Sequence, residues 1–239
     1  MDRHDLLRPL AAPFTRSWLA LQQTTTQPTP QPVDAPEAYA PGPNPHHVLI
    51  FGSGPAIGWG VLTHGIALPG ALARALSRRT GRGTRVELVA DSRITVRSAL
   101  PMLRVIDTSR FDAVVVVLGA NYAFKLMPLS AWRERLVAVL STLDQKTSGP
   151  SRTFVTGIPP VEPVPGFDSR LVRIVAAHAI RMNEETVQLC KSSNATYVSL
   201  PAVKPTNALR VRDGNTYRQW ADRIADVIAP QLDSHQPRT

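Results

Sequence analysis

The residues with the most chemical promise follow one short apolar run. The run VLIF (48–51) leads into FGSGPAIGWGV (51–61), which shares its Phe51 and in which Ser53 carries a hydroxyl between Gly52 and Gly54. A strand, a Gly-rich turn and a helix in succession can cradle a phosphate or hold a nucleophile on a tight turn. The phosphate reading fits poorly. Gly52, Gly54 and Gly58 are spaced one residue too widely for a dinucleotide fingerprint, Pro55 intrudes, and no Gly-Lys-Ser/Thr follows. The strained G-x-S-x-G elbow is absent too. Three further polar groups stand where other elements end: Ser92 in ADSRITV, Asn121 beside Tyr122 in LGANYAF, and Asp213 in RDGNTY. The histidines show no metal-ligand spacing, and the one cysteine, Cys190, permits neither an internal disulfide nor a cysteine cluster. No metal and no cofactor is expected.

The elements that must position these groups alternate strictly. Branched apolar runs at 46–51, 85–90, 113–118, 152–157 and 196–200 predict strands. Their near-continuous apolarity predicts burial on both faces. Between them, 3.6-residue periodicity predicts helices over 66–77, 96–106, 130–143 and 168–190, with a last one over 217–232. The fold class is therefore α/β: a flavodoxin-like, doubly wound, five-stranded parallel sheet, which binds ligands at the carboxyl ends of its strands. The organisation is an arm and linker over 1–45, a domain over 46–230 and a flexible tail over 231–239. Within the arm, residues 1–21 suit a short amphipathic helix that docks, is disordered, or touches a membrane surface. Residues 22–45 are rich in Pro, Thr and Gln and predict an extended linker with no core.

Four stretches, in order and on the right strands, resemble the SGNH (GDSL-type) hydrolases. They are 48–83, 90–100, 115–124 and 212–228, which together cover nearly all of 46–230. The resemblance implies the same doubly wound fold and an acyl-ester hydrolase site. It also implies roles by position. The family's Gly-Asp-Ser falls on Gly52, Ser53 and Gly54, so the nucleophile position holds Gly54 and the hydroxyl lies one residue early, at Ser53. The second block, Asp91-Ser92-Arg93, implies a backbone oxyanion donor. Asn121 matches the family's side-chain oxyanion donor, followed by Tyr122 where the family has Asp. Asp213 matches the acid of the family's Asp-x-x-His, and Thr216 stands at the histidine position.

The implied function is an acyl-ester hydrolase homologue, weakly active or inactive, with a ligand pocket around Gly52, Ser53, Gly54, Ser92, Asn121 and Tyr122. The partner implied is a small acyl ester or lipid-like ligand. Two alternatives stay open: an active carboxylesterase with Ser53 as displaced nucleophile, and a non-catalytic interaction protein using its arm. Ser53 as a cap of the following turn is the plainer role for that residue. His64 and His178 could supply an imidazole only through an unrelated arrangement.

The net charge is +9, with 23 arginines to 4 lysines. The basic residues are scattered, and the densest cluster, Arg74 to Arg85, falls at a helix end whose dipole favours cations. No nucleic-acid partner is expected. No apolar run is long enough to span a membrane and the start does not read as a signal peptide, so a cytoplasmic location is expected.

Overall fold

A computed structural model describes residues 11–15, 17, 29–92, 94–146, 152–161, 169–204 and 212–233. Among the described residues, after a helical stretch at 11–15, six strands and six helices follow in order: β1 (Glu37–Ala40), β2 (His46–Gly52), α1 (Leu68–Thr80), β3 (Thr84–Ala90), α2 (Val96–Val105), β4 (Ala113–Val117), α3 (Ala120–Phe124), α4 (Leu129–Lys146), β5 (Arg152–Thr156), α5 (Ser169–Lys191), β6 (Ala195–Val198) and α6 (Gly214–Asp233). The sheet order is β1-β3-β2-β4-β5-β6. Strands β2 to β6 are parallel, as predicted, and β1 adds a sixth, antiparallel strand on the β3 edge.

The parallel strands are built from residues that tolerate burial on both faces. All five residues of β4, Ala-Val-Val-Val-Val, are buried. Their side chains divide between two cores. Val114 and Val116 pack with α2, α4 and α5, while Ala113, Val115 and Val117 pack with α1 and α6. This is the period-2 alternation of a strand serving two layers of helices.

The segment 29–45 corrects the expectation of a linker without a core. Glu37–Ala40 pairs with Thr84–Glu87, Ala40 is buried, and the Leu88 amide donates to the Pro36 carbonyl at 2.8 Å. Of the predicted arm helix, residues 11–15 are helical and Ala11 and Ala12 join the core beside α2, α4 and α5. The rest of 1–28, apart from Ser17, lies outside the described residues, as do 234–239. The last helix runs past Pro230 to Asp233.

The arginine cluster is held within the domain. Arg78 and Arg79, in the last turn of α1, pair with Asp222 at 3.0 and 3.1 Å, and Arg79 reaches Asp226 at 2.8 Å, tying α1 to α6. Lys146, at the end of α4, donates to the carbonyls of Leu103, Arg104 and Ile106 at 2.9, 2.7 and 2.6 Å. These are among the acceptors that the end of α2 leaves unpaired. No helix among the described residues is long and apolar enough to cross a membrane.

Candidate functional site

Strand order reverses direction between β2 and β4, and in open α/β sheets that switch point is where the carboxyl ends open a crevice. Ser53 leaves β2 there and Gly119 leaves β4. The Ser53 amide still donates to the Val117 carbonyl at 2.9 Å, so the hydroxyl is borne on backbone tied to the sheet. Ser53 itself is extended (φ −153°, ψ −176°) and stands at the N-cap of a 3₁₀ turn over Gly54–Ile57. It does not cap that turn with its side chain. The capping role expected from sequence is therefore not what the hydroxyl does. Although Ser53 is only 2% exposed, its oxygen is neither hydrogen-bonded nor among the sealed, unpartnered polar atoms of the described residues.

Gly54 has φ +60°, and a Cβ there would lie 3.2 Å from the Ala120 Cβ. The left-handed backbone favours glycine and resists a side chain. Gly54 thus lies against Ala120, at the exit of β4. The Asp91 amide reaches the Gly52 carbonyl at 3.3 Å, and Asn121 Nδ2 donates to the Ser92 carbonyl at 3.0 Å. Gly52, Ser53, Gly54, Ser92 and Asn121 thus lie together at the carboxyl ends of β2, β3 and β4. Asn121 spends one amide hydrogen holding the β3 and β4 exits together and keeps a second.

Tyr122 is placed differently from the sequence expectation. Its ring is 4% exposed, 5.8 Å from the Trp132 ring, with the Arg135 guanidinium 5.8 Å from its centroid. The turn at Gly119 sends this side chain into the core beneath α4, so it packs and does not line the crevice.

Asp213 also has an occupation of its own. Its Oδ1 accepts from the Thr216 amide at 2.9 Å and from the Thr216 hydroxyl at 3.0 Å, at the start of α6. That is N-capping, which satisfies a helix donor otherwise left orphaned. The region still abuts the first block. A Cβ on Gly60 would lie 1.9 Å from the Arg212 carbonyl oxygen, and the Tyr217 hydroxyl donates to the Trp59 carbonyl at 2.8 Å. Burial pushes the Tyr217 phenol up to about 12, so it remains a neutral donor.

The histidines outside this region are engaged elsewhere. His178 Nε2 lies 2.7 Å from the Met127 carbonyl. His46 Nδ1 lies 3.8 Å from Asp112 at the start of β2, the far end of that strand from Ser53. Neither is hydrogen-bonded to Ser53.

His64, on the loop between the 3₁₀ turn and α1, has a partner that sequence reasoning missed. Its Nδ1 is 2.9 Å from Asp34 Oδ1, and its backbone amide donates to both Asp34 oxygens at 2.9 and 3.1 Å. The His64 amide foremost, with its ring, holds the Asp34 carboxyl below its ordinary value. Asp34 sits in the Pro-rich stretch, and only the adjacency of that stretch to the sheet edge could have revealed it.

Cys190 is buried and its thiol is pushed up to about 11 by desolvation, which makes it a poor nucleophile. Among the described residues no group of three His, Cys, Asp or Glu could hold a metal ion. A cavity of about 590 Å³ lies at the opposite end of the sheet, lined by Leu140, Ser141, Asp144, Thr153, Asn194 and Ala195. Thr153 and Ala195 lie at the starts of β5 and β6, so this cavity is remote from the crevice at the strand ends.

No protein-family model and no curated protein matches the chain. Solved structures do. A lipase from a goat rumen metagenome superposes with a TM-score of 0.62 at 12% identity, over 78% of this chain and 99% of that one. A carbohydrate acetylesterase from Sinorhizobium meliloti gives 0.58 at 15%, over 77% and 99%. An aryl esterase from M. smegmatis gives 0.58 at 13%, over 78% and 99%. At these identities the likeness establishes the fold.

Proposed function

We propose that this chain, which carries the SGNH hydrolase fold, takes a small acyl ester into the crevice of Gly52, Ser53, Gly54, Ser92 and Asn121 and hydrolyses it slowly. The observation that carries the slowness is the fate of two positions. A left-handed glycine, Gly54, stands at the nucleophile position. Thr216 stands at the histidine position and is bound by the very aspartate that would have oriented a ring. A serine–imidazole pair acts as a unit, and losing a member removes most of the rate. Binding and oxyanion donors alone still sustain about 10³–10⁴-fold over water.

The acyl-ester class is supported by the solved structures of the same fold, among them a lipase, a carbohydrate acetylesterase and an aryl esterase. It is supported also by an unengaged serine hydroxyl at the end of β2 and an asparagine amide at the end of the neighbouring β4, group types that acyl transfer uses for attack and charge stabilisation. The cytoplasm suits a protein whose single cysteine is buried and reduced.

Hydrolysis of a chromogenic acetyl ester by the purified chain and by Ser53→Ala tests the reading. Slow turnover that Ser53→Ala abolishes supports it and identifies Ser53 as a displaced nucleophile. Turnover unchanged in Ser53→Ala points to another nucleophile. Turnover at the speed of an intact triad contradicts the loss at Gly54 and Thr216.

A further inference from the structure

We propose that Asn183, within α5, is a positioning residue of this site: it holds the segment leaving β5 against Gly119 and so fixes where the Asn121 amide points. The inference rests on the acyl-ester reading and names what aims its charge-stabilising donor.

At the end of β5 the backbone changes partner. The Gly157 amide still donates across the sheet, to the Val198 carbonyl at 2.8 Å. One residue on, the backbone of Ile158 turns to a side chain instead. Its amide donates to Asn183 Oδ1 at 2.8 Å, and Asn183 Nδ2 donates to its carbonyl at 2.9 Å. Both ends of one carboxamide thus hold both polar groups of one backbone residue, which sets its orientation as well as its place. Asparagine is a poor residue for a helix interior, because it loses the local backbone bonds it favours elsewhere. What Asn183 gains lies outside its own helix, on the segment after β5.

The residue it holds touches the turn that carries Asn121. Ile158 is buried, and a Cβ built on Gly119 would lie 2.9 Å from its Cγ1 and 3.0 Å from its Cδ1. Gly119 has φ +112° and stands where β4 gives way to α3. Its carbonyl accepts from the Tyr122 and Ala123 amides, both at 2.9 Å. Asn121 lies inside that turn, with Nδ2 donating to the Ser92 carbonyl. The path from Asn183 to Asn121 therefore runs through contacts alone: carboxamide to Ile158 backbone, Ile158 side chain to Gly119, Gly119 carbonyl to the first turn of α3.

Helix α5 braces the same turn at other points. It packs directly against α3. His178 Nε2 lies 2.7 Å from the carbonyl of Met127, just past α3. Thr186 Oγ1 accepts from Trp132 Nε1 at 3.1 Å, and the Trp132 ring edge would lie 3.2 Å from a Cβ on Gly119. Of these side chains Asn183 is the one that ties the exit of β5 to the exit of β4.

Asn121 commits one amide hydrogen to Ser92 and has a second for charge developing on an ester carbonyl oxygen. Such a donor counts where it is aimed before the charge develops, and a small displacement forfeits much of its effect. Freeing Ile158 from Asn183 leaves every reacting group in the chain and loosens the support of one of them. The loss should fall on the chemical step and spare ester binding.

Steady-state turnover of a chromogenic acetyl ester by the full chain tests this in wild type, Asn183→Leu, Asn121→Ala and the double variant. Asn183→Leu is expected to lower kcat about tenfold with KM held within about twofold, the mark of an interaction made in the transition state. In the Asn121→Ala background the same change should alter kcat by less than about twofold, because the group it aims is gone. A residue that only stabilised the fold would lower turnover by one factor in both backgrounds. Should Asn183→Leu fail to fold, Asn183→Asp serves. It keeps the acceptor for the Ile158 amide, loses the donor to the Ile158 carbonyl, and should show a smaller loss of kcat, again only where Asn121 is present. Unchanged kcat in the Asn183 variants, equal losses in the two backgrounds, or wild-type turnover indifferent to Asn121→Ala overturns the inference and leaves the acyl-ester reading standing. Absence of turnover in wild type overturns the two together.

Discussion

Asp213 and Asp34 are the same group in two regions that meet around the Gly58–Ala67 loop, and they do different things. Asp213 binds a backbone amide and a hydroxyl three residues ahead and starts a helix. Asp34 binds an amide and a ring thirty residues ahead and joins a strand approach to a loop. The residue three places on decides the first case, since a threonine there completes a cap where a histidine would need orienting. Chain topology decides the second, by laying a Pro-rich segment beside the loop that carries His64. The role of a carboxylate is set by the donor that its surroundings deliver.

That contrast can be broken most severely at Gly54. Gly54→Ser restores a hydroxyl at the family's position but forces a side chain onto a left-handed backbone against Ala120. It should cost about 1–2 kcal/mol in urea unfolding. It should add no ester turnover, because Thr216 offers no base. A gain of tenfold or more would show that an imidazole already serves that position.

Asp213→Ala should cost about 1 kcal/mol, the worth of an N-cap, with ester turnover unchanged. If turnover falls with little loss of stability, Asp213 still orients a reacting group and the contrast with Asp34 fails. Lys146→Met, remote from both carboxylates, should cost a comparable ~1 kcal/mol by stripping three carbonyls at the end of α2 of their donor, and serves as a stability-matched control with normal turnover.

The smallest effect is a pH dependence. The folded Asp34 carboxyl lies below its ordinary 3.8. Its contribution to stability is therefore present above about pH 4 and lost as pH falls through the lower folded value. The urea midpoint of wild type should decline more steeply below pH 4 than that of Asp34→Asn. Parallel declines would mean that the clasp makes no difference to folding.

The parallel strands and the order of the blocks were legible in the sequence because burial on both faces demands apolar runs, and β2 to β6 lie within a residue or two of the predicted stretches. Strand β1 was not. Glu-Ala-Tyr-Ala between prolines is no apolar run, and it is extended because β3 offers it a free edge. That Gly52, Ser53, Ser92 and Asn121 stand where strands end was legible, because each follows an apolar run. The inward turn of Tyr122 was not, since it depends on how Gly119 redirects the chain. Nor was Asp34, whose partner is fixed by tertiary contact alone.

The edge strand has a consequence for how molecules of this protein behave toward one another. Without Glu37–Ala40, β3 would present its amides and carbonyls from Thr84 to Leu88 as an open template, and such rows recruit strands from other copies. The segment from Pro30 to Ala40 keeps that row occupied from within. A protease cutting near Pro45 would strip the cover, deprive His64 of its carboxylate, and release a body prone to aggregate. A cut before Gln27 would leave both the cover and the carboxylate in place.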